Sequence, residues 1–268
     1  MSKVLLKGNK ATGVVLEDGR ELRAKAVVSG VDPHRTFLKL VGKEHLPDDL
    51  VTSINRYRMR GSSGKVNVAL DKIPEFTCRP NGGTGSPGLH LRGDVAIAPS
   101  IAYLEKAYDE AKYGRWSRRP FINVVFPTLT DASLAPPGKH IMSCFVQYAP
   151  YQLATGPSSW PEHRDAFGKD VIDTLEEYMP DLRKHILHTQ VLTPWDLEQD
   201  FGLTEGNIFH GELSLEQLFF LRPAAGWARY RTPVDNLWMC GSGTHPGGGI
   251  MGAPGQLAAV RMLKEGAL

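Results

Sequence analysis

The first thirty residues alternate between apolar and polar positions in the manner of short β-strands. Residues 14–17 and 20–23 flank Asp18-Gly19, a dipeptide favoured in tight hairpin turns, where both central residues adopt positive φ. Residues 26–30 are a short apolar run that ends in glycine, which is typical of a buried strand that stops at a close backbone approach. The pattern therefore predicts an all-β segment.

The middle of the chain combines helical and strand spacing. Apolar residues at helical spacing predict three helices: near residues 46–54 with Pro47 in the first turn, over 101–111, and over 160–179. Thr193-Pro194 predicts the start of a fourth helix, which ends near Gly202. Ser159 and Glu162 predict a capping box for the third of these. Alternation predicts strands over 65–70, 121–126 and 140–148, and glycine and proline predict a surface loop over 79–93. Helices and strands alternate without a fixed period, so we expect a mixed α/β or α+β fold.

Composition narrows the functional class. The chain has 31 basic and 29 acidic residues and a net charge of +2. A nucleic-acid interface needs basic residues concentrated on one face, so no nucleic-acid partner is predicted. Cys78, Cys144 and Cys240 are too few and too scattered for a disulfide framework or a zinc site, so we expect buried thiols. His185 and His188 lack a third ligand, and no metal site is predicted. No apolar run is long enough for a membrane span, and we expect an intracellular protein.

A glycine-rich stretch near the C-terminus carries the strongest local signal. Residues 236–260 contain no charged side chain, and residues 241–255 contain seven glycines. An apolar strand over 237–240 precedes the stretch and a helix over 257–263 follows it. Glycine allows the backbone to approach a ligand closely, and a helix N-terminus offers unpaired N–H groups and a positive dipole end. A tight connection in a crowded core is the alternative interpretation.

Two literal G-x-G-x-x-G strings do not predict a dinucleotide fingerprint. That fingerprint needs a βαβ unit around it and an acidic residue about 20 positions further on. Too little chain follows residues 247–252, and residues 83–88 lie in a predicted loop. Neither string is therefore interpreted as the start of a Rossmann fold.

The segment N-L-W-M-C-G-S-G-T-H-P-G-G-G-I-M-G-A over residues 236–253 resembles the C-terminal signature of the phytoene desaturase (carotenoid dehydrogenase) branch of FAD-dependent oxidoreductases. Residues 13–33 resemble the hairpin and a late strand of that family's FAD domain. Residues 134–140 resemble a turn of its substrate domain, and residues 206–211 and 222–223 resemble the return of the chain toward the flavin.

The resemblance implies FAD as cofactor. It implies that Gly241, Ser242 and Gly243 run beside the ribityl-phosphate part and that residues 244–251 pass along the isoalloxazine. The implied cofactor contacts are Gly241, Ser242, Gly243, Thr244, His245, Pro246, Gly249, Ile250 and Met251. His245 could instead serve only to cap the turn. His210 is a candidate for lining the substrate cavity, and Arg222 either anchors a loop or contacts substrate. No catalytic acid or base is predicted.

The resemblance also implies a domain plan. Residues 1–35 and 204–268 would be two pieces of an incomplete FAD/NAD(P)-binding domain, and residues 36–203 a substrate domain with a mixed sheet and flanking helices. Members of the family open with a G-x-G-x-x-G that holds the FAD pyrophosphate, so we expect this chain to be a fragment that is inactive alone. Exposed surface of the incomplete domain would favour self-association.

The function implied by the resemblance is dehydrogenation or desaturation, in which a small-molecule substrate, apolar by analogy with carotenoids, loses hydride to flavin. A non-catalytic interaction module of flavoprotein descent is the alternative. The compartment would be the cytoplasm in a bacterium and the mitochondrial matrix for an animal-type homologue.

Overall fold

The structure, a computed structural model, describes residues 1–78 and 88–267. The chain divides into two compact units. The terminal unit consists of Met1–Arg60 and Asn207–Leu268, and the middle unit consists of Gly61–Gly206. The predicted loop over 79–93 lies largely outside the described residues, as does most of the G-x-G-x-x-G string at 83–88.

Ten β-strands are found in the described ranges. In chain order they are β1 Lys3–Lys7, β2 Lys10–Val15, β3 Glu21–Arg23, β4 Val27–Ser29, β5 Ser63–Leu70, β6 Val95–Ile97, β7 Phe121–Val125, β8 His140–Gln147, β9 Ile186–Leu192 and β10 Leu237–Met239.

Six α-helices and one π-helical segment, His34–Val41, accompany the strands in the described part of the chain. The α-helices are α1 Asp48–Arg56, α2 Ile101–Lys112, α3 Trp160–Glu176, α4 Leu182–His185, α5 Pro194–Phe201 and α6 Ala253–Lys264. The predicted mixture of helices and strands is therefore confirmed.

The terminal unit contains two small sheets. Strands β1, β2 and β3 form an antiparallel sheet, and β4 pairs in parallel with β10. Its core brings residues from both ends of the chain together, because Phe37, Leu50 and Ile54 share a buried cluster with Val234 and Leu237. The burial of these side chains supplies the favourable free energy that holds the two distant segments in one unit.

The middle unit is built on one antiparallel sheet in the order β6-β7-β8-β5-β9. One face of β5 is fully buried through Val66, Val68 and Leu70, which share a core with Phe167 and Val171 of α3. The alternate residues of β5 are only half-buried, because successive side chains of a strand point to opposite faces. The sheet therefore has one face in the core and one face of mixed chemistry.

Two helix starts show why one predicted cap is wrong and another cap was missed. Ser159 does not cap α3, because it ends a short 3-10 turn with helical backbone angles (φ −83°, ψ −9°). Thr193, at φ −81° and ψ 166°, forms a complete capping box with Asp196 at the start of α5. An N-cap residue needs extended backbone geometry for its side chain to reach the N–H groups of the first turn. A third helix start also differs from the prediction: Pro47 is the N-cap residue of α1 and does not lie in the first turn of that helix.

The boundaries of the units differ from the domain plan suggested by the sequence. Residues 36–60 cluster with the terminal segments, although the sequence placed them with the middle segment. The reason is the shared core, since the π-helical segment and α1 bury Phe37, Leu50 and Ile54 in the terminal unit. The assignment of 1–35 and 204–268 to an FAD domain and of 36–203 to a substrate domain stays a prediction.

Candidate functional site

The candidate site lies where the two parallel strands of the terminal unit end. Leu237, Trp238 and Met239 pair with Val27, Val28 and Ser29, and the N–H of Cys240 donates to Ser29 O at 2.8 Å. The carboxyl ends of β4 and β10 therefore lie side by side. The glycine-rich turn begins at this edge, which is where parallel α/β sheets bind ligands.

Most glycines of the turn have reasons to be glycine within the chain itself. A Cβ on Gly243 would lie 2.9 Å from Pro33 Cδ, and one on Gly247 would lie 2.9 Å from Leu218 Cδ2. Gly248 faces the ring of Phe209 at 3.1 Å, and Gly241 faces the backbone oxygen of Gly30 at 3.3 Å. Tight internal packing therefore explains part of the glycine content, as the alternative interpretation of the sequence proposed.

Positive φ explains two more glycines of the turn. Gly249 has φ +142° and Gly252, the N-cap of α6, has φ +66°, a range that L-residues adopt only at a cost. Gly255 is different. It lies in the first turn of α6 without a positive φ, and a Cβ built on it would meet no atom within 4 Å. Neither packing nor backbone geometry in the described chain requires glycine at position 255.

Backbone and side-chain hydrogen bonds hold the turn in place. Thr244 is buried, and its hydroxyl donates to Gly241 O at 2.9 Å. The hydroxyl of Tyr230 donates to His245 O at 3.1 Å, and the N–H of Phe219 donates to Pro246 O at 3.1 Å. These bonds occupy the carbonyl groups of His245 and Pro246, and His245 is one of the residues that line a cavity of about 730 Å³.

That cavity lies along α6. Its wall is largely apolar, through Phe220, Leu257 and Val260, and its cationic residues include Arg229 and Lys264. A volume of this size lies within the usual range for small-molecule and cofactor sites. Ile250 and Met251 lie outside the cavity lining and are strongly exposed, with Ile250 fully accessible.

Arg222 anchors the loops of the site. The side chain is completely buried, and its guanidinium donates five hydrogen bonds to backbone carbonyls. The acceptors belong to Phe209, Gly211, Glu212, Gln217 and Ser242, at distances of 2.5 to 3.4 Å. A guanidinium has five N–H donors, so none remains for a substrate. Burial lowers the pKa of Arg222 from its ordinary value. Of its two predicted roles, the structure supports that of a loop anchor.

His210 lies at the same edge with an unusual backbone and an unpaired ring nitrogen. Its φ is +58°, which is uncommon for a residue other than glycine. Such a strained backbone conformation persists only where the surrounding structure enforces it. Its Nδ1 is buried and has no hydrogen-bond partner. Burial lowers the pKa of His210, the nearby Arg222 lowers it further, and Asp32 opposes this change. The imidazole is therefore neutral near pH 7.

Sequence reasoning missed the residues that hold His210 in place. The side-chain oxygen of Asn207 accepts from the N–H groups of Phe209 and Gly211 at 2.8 and 3.2 Å. The hydroxyl of Tyr57 donates to His210 O at 3.2 Å. Asparagine followed by glycine a few residues later indicates a side-chain-stabilised turn, whereas Tyr57 lies 153 positions from His210 in sequence and gives no local signal.

The structure also places the cysteines and histidines that the sequence analysis named. Cys144 is buried as expected, but Cys78 is exposed and Cys240 is only partly buried. Over residues 1–78 and 88–267, no three His, Cys, Asp or Glu side chains are grouped as a metal ion requires. The ring of His185 contacts Asp71 at 2.9 Å. None of the described helices has both the length and the apolar character to cross a membrane.

The chain has clear relatives among known proteins. It is 41% identical over 251 residues to pyridine nucleotide-disulfide oxidoreductase domain-containing protein 2 of Mus musculus, covering 93% of this chain and 43% of the relative. It is 36% identical to 4,4'-diapolycopen-4-al dehydrogenase of Metabacillus indicus, covering 93% and 44%. It is 28% identical to the lycopene-forming phytoene desaturase of a Paracoccus strain, covering 94% and 46%. The chain thus spans less than half the length of these relatives.

A structural comparison agrees at the level of fold. The crystal structure of an oxidoreductase from Methanosarcina mazei superposes with a TM-score of 0.52 at 20% identity, covering 98% of this chain and 48% of that one. No family model matches the chain. Over nearly its whole length, the chain is therefore similar to part of pyridine nucleotide-disulfide oxidoreductase domain-containing protein 2 and to part of the carotenoid dehydrogenases and phytoene desaturases.

Proposed function

We propose that this chain is part of an FAD-dependent oxidoreductase of the dehydrogenase or desaturase type, and that its glycine-rich turn lies against the cofactor. The observation that carries the proposal is Gly255. A glycine in a helix is less favourable than alanine by up to about 1 kcal/mol. A Cβ built on Gly255 would meet no atom within 4 Å, so packing within the chain does not explain why this position is glycine. A ligand passing close to the first turn of α6 would provide the missing reason.

The surroundings of Gly255 fit a flavin nucleotide chemically. The first turn of a helix presents N–H groups without partners inside the helix, and no side chain caps those of α6. Such a helix start favours an anion or a group that becomes negative during reaction. Arg229 and Lys264 line the cavity along α6, where they would supply positive charge for a phosphate group.

When bound, FAD would accept the hydride that the substrate loses from a C–H bond. The chain's own residues would position the substrate against the cofactor and exclude water from the site. Exposed Ile250 and Met251 offer apolar contact area at the turn. His210, held neutral by burial, offers one unpaired nitrogen that can donate or accept a hydrogen bond. The substrate class proposed from the relatives is apolar.

The proposed cofactor contacts are residues of the glycine-rich turn, and these residues have different roles. Gly241, Ser242 and Gly243 would keep the backbone close to the cofactor, while Thr244 and Pro246 hold the turn through their own hydrogen bonds. Gly249 provides the bend before α6. His245 and His210 are the polar side chains proposed to face ligand, and Arg222 is proposed as their positioning residue.

The test uses the product of the longest open reading frame that contains this chain. We expect it to purify with the visible absorption bands of oxidised flavin, which a reductant bleaches and a substrate of this class bleaches anaerobically. The 268-residue chain purified alone is expected to retain little or no flavin. A longer product that is colourless and gains no flavin from added FAD would refute the proposal and favour a non-catalytic interaction module.

A further inference from the structure

The second face of the five-stranded sheet in the middle unit carries an unexplained polar network. Lys65 and Asn67 alternate with the buried residues of β5, so their side chains share the face opposite the core. On the neighbouring strands, Ser143 of β8 and Gln190 of β9 are the two residues paired with Asn67. Four polar side chains therefore meet across β8, β5 and the edge strand β9.

The hydrogen bonds of this network run in one direction. The Nζ of Lys65 donates to Ser143 Oγ at 2.6 Å. Because an ammonium group can only donate, the hydroxyl hydrogen of Ser143 is directed onward, to Asn67 Oδ1 at 3.1 Å. The amide nitrogen of Asn67 then donates to Gln190 Oε1 at 3.0 Å. Each acceptor inside the network is thus used by a neighbour.

What remains available is a set of donors. Lys65 has three N–H groups, of which Ser143 takes one, and the amide nitrogen of Gln190 has two. The network contains no carboxylate, and within the described residues Lys65 forms no ion pair. Burial lowers the pKa of Lys65, and Cys144 opposes this change. A half-buried cation without a counter-ion is costly and is characteristic of ligand sites.

The cross-strand neighbours of Lys65 are apolar. Phe145 of β8 and Leu192 of β9 are the residues paired with Lys65 across the two strand pairs. Beyond Asn67 and Ser143 along the two strands, Ala69 and Ile141 form another pair, and Ala69 is also paired with His188 of β9. Paired residues of antiparallel strands point to the same face, so Lys65 lies between two apolar side chains across the strands and beside the polar network along β5.

We propose that Lys65 and its network bind the carboxylate of an apolar carboxylic acid, whose hydrocarbon part lies along Phe145 and Leu192. A single ammonium group with spare donors is matched by a monoanion with spare acceptors. The flanking apolar side chains favour a hydrocarbon chain or ring attached to that anion. Because this site requires no flavin, its test is separate from that of the proposed oxidoreductase function.

The experiment is calorimetric titration of the whole 268-residue chain with octanoate, and with octan-1-ol as the uncharged probe of equal length. We expect octanoate to bind at least about tenfold more tightly than octan-1-ol, because a charge-assisted hydrogen bond is lost with the alcohol. Lys65→Met should lower octanoate affinity to that of octan-1-ol, while Lys65→Arg should retain most of it. Ser143→Ala should have a smaller effect than Lys65→Met.

Lys139→Met provides the matched control, since Lys139 is exposed and lies outside the sheet, and it should leave octanoate binding unchanged. Far-ultraviolet circular dichroism checks that each variant is folded, and retention of binding by Lys65→Arg separates loss of charge from loss of fold. Absence of octanoate binding to the wild-type chain would overturn the proposal. Equal affinity for octanoate and octan-1-ol, or unchanged octanoate binding by Lys65→Met, would overturn it as well.

Discussion

Replacing Gly255 by alanine separates the requirements of the fold from those of a ligand. Gly255 is exposed in the first turn of α6, and a built Cβ meets no atom within 4 Å. The added methyl group should therefore cause no clash, while alanine restricts the unfolded chain and favours the helix. We expect Gly255→Ala to raise the free energy of unfolding by up to about 1 kcal/mol, or the melting temperature by about 2 °C.

The same substitution should weaken flavin binding. If the cofactor passes within contact distance of position 255, an extra methyl group costs on the order of 1–3 kcal/mol. That cost corresponds to a loss of about five- to 150-fold in affinity for FAD. The two effects have opposite signs, so a general loss of structure cannot produce both.

The assay has two arms and one matched control. Thermal unfolding of the 268-residue chain is followed by circular dichroism, and FAD affinity is measured by flavin fluorescence on the product of the longest reading frame. Gly252→Ala is the control, because its Cβ space is equally open but its φ is +66°. There alanine should destabilise the chain by roughly 1–2 kcal/mol. A stabilised Gly255→Ala protein with unchanged FAD affinity would refute the proposed closeness of the cofactor to this residue.

Four further predictions concern other parts of the molecule. His210→Asn should reduce the pH dependence of stability: because burial lowers the pKa of His210 in the folded state, the wild type loses stability as pH falls below about 6.5, where the unfolded imidazole binds a proton. Denaturant unfolding between about pH 5 and 8 measures this, and parallel profiles for wild type and variant would contradict it. Arg222→Lys should destabilise the chain by about 3 kcal/mol or more, because three N–H donors replace five and buried carbonyls lose their partners; a near-wild-type midpoint in chemical denaturation would show that the carbonyls are satisfied in another way. The chain should self-associate through exposed apolar residues such as Ile250 and Leu263, and Leu263→Lys should reduce the mass measured by light scattering, whereas a wild-type monomer at all accessible concentrations would exclude this. Octanoate binding should weaken as pH rises through a lysine pKa that burial has lowered at Lys65, and calorimetry that shows constant affinity up to the ordinary lysine range would argue against this residue as the binding cation.

The features that sequence predicted well are those set by neighbouring residues. The strand β10, the glycine-rich turn and α6 follow each other closely in sequence, so spacing and composition were sufficient. The hairpin at Asp18-Gly19 is found between β2 and β3 for the same reason, although only Gly19 of the two turn residues has a positive φ. The ends of α2 and α5 also lie near their predicted positions, at Lys112 and Phe201. Local backbone preference and local hydrophobic spacing decide such elements.

The features that sequence missed depend on residues far apart in the chain. The strand β9 pairs with β5 across more than a hundred positions, and its own side chains are mostly half-buried or exposed, without a strong alternation. The carbonyl groups around Arg222 come from three separate loops. The network at Lys65 joins residues from three strands. A pattern read along one segment cannot show which distant segment will lie beside it.

The glycine-rich turn shows how a correct local prediction can rest on an incomplete reason. Its high glycine content suggested a ligand, yet six of the seven glycines of residues 241–255 have packing or positive φ as sufficient reasons within the chain. A high glycine content in this turn therefore reflects close packing at the edge of β4 and β10, and by itself it does not indicate a ligand. Only a glycine that the fold does not require distinguishes the two explanations, and Gly255 is that residue.

Gly255 alone does not distinguish a cofactor from another segment of polypeptide, since either could pass close to the first turn of α6. Exposed Ile250, Met251 and Leu263 would suit an apolar protein surface as well as a flavin ring. The uncapped N–H groups at the helix start and the cations of the adjacent cavity favour a ligand with negative charge. Added FAD should not protect the turn against unfolding if the occupant is a protein segment, whereas protection should increase with FAD concentration if the occupant is a flavin nucleotide. The concentration dependence of that protection, compared between wild type and Gly255→Ala, therefore decides between the two occupants.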